Sequence, residues 1–167
     1  TYDPGVIDRY GVNTTPGTTD MTAAFDAACK STATVRGIPG STYLVTGVTA
    51  TTARQVFDLG GCEFKLANAT NAVILTLSGA GSVVRGGRFN GNKANQSGTG
   101  ANQYGHAAVR INANYCTVQD IESYDSFGIG IKGTSCDYAM ILNNKITTPE
   151  IYGVYVEGTT VDHYGNE

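Results

Sequence analysis

FGIGIKG at 127–133 and YGVYVEG at 152–158 are one phrase in two spellings. Phe127 answers to Tyr152, Gly128 to Gly153, Ile129 to Val154, Ile131 to Val156 and Gly133 to Gly158, each 25 positions on. A unit of about 20 to 25 residues holding two or three short strands has the length of one coil of a parallel β-helix, in which each coil stacks on the last at about 4.8 Å. The preceding coil supplies AVRIN at 108–112, with Val109 and Ile111 placed 20 positions before Ile129 and Ile131. A second wall aligns Ile121 with Ile146 at 25, and Val118 with Ile141 at 23.

Strand alternation sorts the side chains of these phrases into two sets. Val109, Ile111, Ile129, Ile131, Val154 and Val156 are expected to point inward and stack. Arg110, Asn112, Gly130, Lys132, Tyr155 and Glu157 are expected to point outward, with Lys132 and Glu157 as neighbours across coils. The same period of two runs through TYLV (42–45), VFDL (56–59), EFKL (63–66), ILTL (74–77) and SVV (82–84), the mark of strands with one buried face. No Asn-Gly or Asp-Gly loop joins adjacent strands as a meander needs; Asn90-Gly91 reads as a bend after Phe89.

Glycine is 22 of 167 residues, and Asn, Thr and Ser are abundant, which favours turns and short strands over long helices. One helix is defensible, over about 20–30 in TTDMTAAFDAACKS. Thr19 or Asp20 can cap it, and Met21, Ala24, Phe25 and Ala28 form its apolar side. The expected fold is therefore all-β, a right-handed parallel β-helix with a short N-terminal capping helix. Residues 1–34 form the lead-in and cap, and 35–167 form the coils. With 15% charged residues, a net charge of -3 and a pI near 5.3, no basic field exists to hold a phosphate backbone, which argues against nucleic acid. The longest apolar run, 72–77, is broken by Thr76 and falls far short of a membrane span of about 20 residues. Cysteines at 29, 62, 116 and 136 match no metal-binding pair; they read as buried thiols, with Cys116 and Cys136 as the one disulfide to check.

The order of features resembles a known family. VIDRYGVNTTPGTTDMTAAFDAAC (6–29) is similar to the opening of pectate-lyase-like β-helix proteins, among them phage tailspikes and preneck appendages. GIPGSTYLVTG (37–47) and GGRFNGN (86–92) look like that family's next landmarks. The resemblance implies that the helix covers the first coil, and that the chain is the N-terminal part of a longer protein whose coils continue beyond 167. It also implies a homotrimeric, extracellular virion-tail protein that meets other tail components and binds host surface polysaccharide along its outer wall, with depolymerisation as an added activity. A secreted polysaccharide lyase or glycoside hydrolase is the alternative, and a β-helical stalk without a ligand is a third. No metal or cofactor is evident; a lyase would bring calcium.

For hydrolysis the wall must offer two carboxylates about 5 to 9.5 Å apart. Glu122, Asp125 and Glu157 are the candidates taken forward from a set that also holds Asp120, Glu150 and Asp162. For a lyase, Lys132 or Arg110 beside Glu157 would take the proton. The plainer reading is solvated turn acids and a surface ion pair. The polar segment at 90–104 breaks the coil rhythm, and its Asn102 and Tyr104 suit sugar hydroxyls and sugar faces, as do Arg110, Asn112 and Tyr155 on the wall. The alternative is a surface loop or subunit contact. His106 follows Gly105, but the paired aspartates and the Arg-Ile-Lys segment of Gly-His pectin hydrolases are missing, so it reads as a loop histidine; His163 is ambiguous. Asn143 and Asn144 read as members of a corner hydrogen-bond ladder.

Overall fold

The computed structural model describes residues 2–98, 104–157 and 160–167. The first coil is β1 (Thr34–Arg36), β2 (Thr42–Val45) and β3 (Val48–Ala50), and the second is β4 (Val56–Asp58), β5 (Glu63–Leu66) and β6 (Val73–Leu77). The third is β7 (Val83–Arg85), β8 (Arg88–Asn90) and β9 (Ala107–Ile111). The fourth is β10 (Thr117–Gln119), β11 (Glu122–Tyr124) and β12 (Ile129–Thr134). The fifth is β13 (Ala139–Leu142), β14 (Lys145–Thr147) and β15 (Tyr152–Glu157), and β16 (Val161–Tyr164) opens a sixth. Every third strand pairs in parallel, which makes three walls: A from β1 to β16, B from β2 to β14, and C from β3 to β15. The expected parallel β-helix is the fold.

The interior is built of columns. On wall B, Tyr43, Phe64 and Phe89 stack at centroid distances of 5.3 and 5.6 Å. The next position in register is Ser123, buried and bonded to Ser126 Oγ at 3.2 Å, and then Ile146. Helix α1 (Thr22–Ser31) closes the N-terminal end by setting Phe25 4.9 Å from Phe64 and 6.2 Å from Phe57. That cover matters because an open terminal coil presents unpaired backbone groups. The N-cap is Met21, with no side-chain cap bond, rather than the expected Thr19 or Asp20; Asp20, one residue earlier, accepts from the Thr22 amide at 2.9 Å. Gln55, wholly buried, ties the helix end to the second coil by donating to the carbonyls of Cys29 and Thr32.

Register differs from the spacing of the phrases. Ile131 stands opposite Val154 and Lys132 opposite Tyr155, 23 positions on rather than 25. In the coil before, Val109 stands opposite Ile131, 22 positions on rather than 20. Val118 opposite Ile141, at 23, is as expected, whereas Ile146 pairs with Ser123 and not Ile121. The cause is Phe127, which lies in the turn before β12 and packs 5.2 Å from the His106 ring; it is no counterpart of Tyr152, the first residue of β15. A slip of two preserves which face a side chain takes, so Lys132 remains outward, but its neighbour is Tyr155 and Thr134 is the partner of Glu157.

Wall C also breaks its alternation at one point. Ile74 and Leu75 are consecutive core residues, as are Ala108 and Val109, so the strand bends there. The preceding position, Val73, Ala107, Ile129 and Tyr152 in register, faces outward. Ile129 is thus on the outer side, yet fully buried, and Gly130 is the inward one: a Cβ there would meet Ile146 Cγ2 at 2.5 Å. Val154 and Val156, expected inward, pack on the core but stay half-buried at the last full coil.

Candidate functional site

The bend in wall C decides what its outer face presents. Because two successive residues turn inward, Tyr152 and Tyr155 point to the same side, and their rings stack at 5.6 Å and 20°. Tyr104 joins them from the end of the 90–104 segment, 6.2 Å from Tyr152 and 6.1 Å from Tyr155. Tyr104 is 38% exposed and Tyr152 44%. The three rings form a solvent-facing aromatic platform.

Two cations anchor that segment. Lys132 Nζ donates to the Tyr104 carbonyl at 2.7 Å, and Arg110 Nη2 donates to the Gly105 carbonyl at 2.7 Å. Arg110 and Lys132 are direct neighbours across coils, an arrangement that repels. Neither forms an ion pair among the described residues. Arg110 Nε is buried with no partner there. Burial, then the Arg110 charge, lower the Lys132 pKa, and Glu157 opposes them. Lys132 Nζ also lies 5.8 Å from the Tyr155 centroid, within cation–π range. The Tyr155 hydroxyl donates to Glu157 Oε1 at 2.5 Å, which raises the phenol pKa. An open groove of about 340 Å³, lined by Thr46, Thr49, Thr76, Gly105 and Arg110, extends the face toward the first coil.

Five of the residues singled out from sequence, Tyr104, Arg110, Lys132, Tyr155 and Glu157, therefore share one face. Asn112 is exposed at the end of the same wall, accepting from Thr134 Oγ1 at 3.4 Å. Asn102 lies outside the described residues. Glu122 sits apart, on wall B, in a row in register: Glu63, Arg88, Glu122, Lys145. Arg88 contacts Glu63 at 3.2 Å and Glu122 at 2.8 Å, and Lys145 contacts Glu122 at 3.3 Å. The Arg88 hydrogen bond, helped by Lys145, lowers the Glu122 pKa, which suits a standing charge better than a proton donor. Asp125 occupies a left-handed corner and bonds to Thr148 Oγ1 at 3.0 Å. Tyr152 was not singled out as a site residue; the signal was YGVY, two tyrosines three apart, which share a face only if the strand bends between them.

His106 is 5% exposed, and its Nδ1 has no partner among the described residues. His163 is exposed on wall A. All four cysteines are free and buried, Cys116 and Cys136 included, and burial pushes Cys29 and Cys62 up to about 12, so neither is a ready nucleophile. Among the described residues no group of three or more His, Cys, Asp or Glu is placed to hold a metal ion. No helix among the described residues is long and apolar enough to cross a membrane. No family model, curated protein or solved structure matches the chain.

Proposed function

We propose that this chain binds a polysaccharide along the outer face of wall C, with a sugar ring lying on the Tyr104–Tyr152–Tyr155 platform and an acidic substituent drawn to Arg110 and Lys132. The observation that carries the reading is the pairing of an exposed three-ring platform with two adjacent cations that form no ion pair among the described residues. Apolar C–H faces of sugars stack on such rings, and guanidinium and ammonium groups supply donors to carboxylates and hydroxyls. The wider reading is a homotrimeric tailspike or appendage protein of a virion tail that recognises a host surface glycan. It rests on the likeness of 6–29, 37–47 and 86–92 to that family's landmarks.

The test is retention of the purified chain on immobilised alginate, hyaluronan and polygalacturonate against dextran and mannan. Acidic polymers are expected to bind, and Tyr155→Ala to weaken binding about tenfold. Arg110→Ala should erase the preference for acidic over neutral polymers. Retention on none of the five, or binding that Tyr155→Ala and Arg110→Ala both leave unchanged, overturns the proposal. New reducing ends in the same incubations would report cleavage, and ultraviolet absorbance of unsaturated uronates would assign it to a lyase.

A further inference from the structure

The corner between walls C and A carries a column of side chains that the wall C face does not use. Successive coils place Arg54, Gly81, Tyr115 and Tyr138 there. Backbone bonds tie them in sequence, Arg54 N to Ala80 O, Gly81 N to Asn114 O and Tyr115 N to Asp137 O. All four have left-handed backbones, with φ of 58°, 73°, 62° and 57°. Glycine takes that conformation freely and a tyrosine at some cost, but corners elsewhere in the coils take it too, at Asn92, Asp120, Asp125 and Asn143, so the conformation belongs to the turn. The two tyrosine rings are stacked at 5.1 Å and 4°, yet stand 60% and 54% exposed.

Gly81 leaves the other face of Tyr115 uncovered. An open slot of about 530 Å³ lies there, lined by Ala53, Arg54, Ala80, Gly81 and Tyr115. A Cβ on Gly81 would meet the Arg54 Cγ at 3.4 Å and no other atom within 4 Å, so the Arg54 stem borders the level that Gly81 leaves without a side chain. The Arg54 guanidinium has no hydrogen bond or ion pair among the described residues. We propose that this slot is a binding site for one pyranose ring, its C–H face on Tyr115 and its hydroxyls toward Arg54. Arg54 and Tyr115 stand two coils apart, about 9.6 Å, and Gly81, the corner residue between them, contributes no side chain. A puckered ring fills that level better than a flat one. Arg54 offers donors and no acceptor, as hydroxyl or carboxylate oxygens require, and the open rim leaves the outer hydroxyls in water. The site stands on its own observations and does not depend on wall C.

Amide NMR spectra of the whole chain, titrated with the methyl glycosides of glucose, galactose, mannose and N-acetylglucosamine, test it, with phenol as the flat-ring control. Saturable shifts of the Ala80, Gly81 and Tyr115 amides are expected with at least one glycoside. Tyr115→Ala and Gly81→Asn should each weaken that binding tenfold or more; Asn tolerates the left-handed backbone and fills the slot. No shift at these amides with any glycoside, a response to phenol alone, or binding unaltered by both variants overturns the proposal. Shifts at Tyr152 and Tyr155 report wall C separately, so each site succeeds or fails on its own residues.

Discussion

Asn144 shows how one side chain ties its own coil to the one before and the one after. It is buried; its Nδ2 donates to the Val118 carbonyl and to Asn166 Oδ1, both at 3.0 Å, and its Oδ1 accepts from the Ile121 amide at 3.1 Å. Asn166 repeats the pattern by donating to the Ile141 carbonyl, so the corner ladder expected at 143–144 is present, with Asn144 as its buried member. Asn144→Ala strands a buried amide and a carbonyl, and it should cost roughly 1–3 kcal/mol per orphaned group, read as a lower urea midpoint. His106 sets a pH dependence. Burial, then the Arg110 charge, lower its pKa, so the unfolded chain takes up a proton that the folded one resists. Stability should fall as pH drops below about 6.5 and level off below the folded value. His106→Gln should remove that component of the slope in urea midpoints measured between about pH 7.5 and 5.

Among the elements, wall B carries alternating charges, Glu63, Arg88, Glu122 and Lys145, on successive strands. Each such surface pair contributes little, but together they favour one order of neighbours. Arg88→Ala should raise the Glu122 pKa toward the usual carboxylate range, seen in a carboxyl NMR titration; an unmoved value would mean that Lys145 alone sets it. Strands are legible in sequence where bulky apolar residues alternate: β2 and β5 match TYLV and EFKL to the residue, and the three-residue β4 lies within VFDL. β3, with Thr49 between Val48 and Ala50, and β8, with Phe89 between Arg88 and Asn90, show too little alternation; at β8 the sequence offers only the bend expected at Asn90-Gly91. The wall C site was legible in part because outward facing survives a slip of two. Tyr152 and the Ile129–Gly130 inversion were not, since both depend on a bend that no residue type announces.

Across the whole molecule, packing is uneven along the axis. Aromatic rings fill the wall B column beside the helix, Ser123 and Ile146 continue it, and Val154, Val156 and Val161 at the far end are only partly buried. Amides of β14 to β16 should therefore exchange with solvent before those of β5, β8 and β9, a hydrogen-exchange gradient along the axis; uniform protection would contradict it. Coil length varies as well: Thr42 to Glu63, paired on wall B, spans 21 positions, whereas Val83 to Thr117, paired on wall A, spans 34. The walls keep their pairing through both, and the surplus is confined to the corner that delivers Tyr104. Closing a longer corner costs only slowly more. Whatever Tyr104 and its neighbours recognise could thus be rewritten by exchanging one corner for another of different length and sequence, while the walls that confer stability go on stacking unaware of the change.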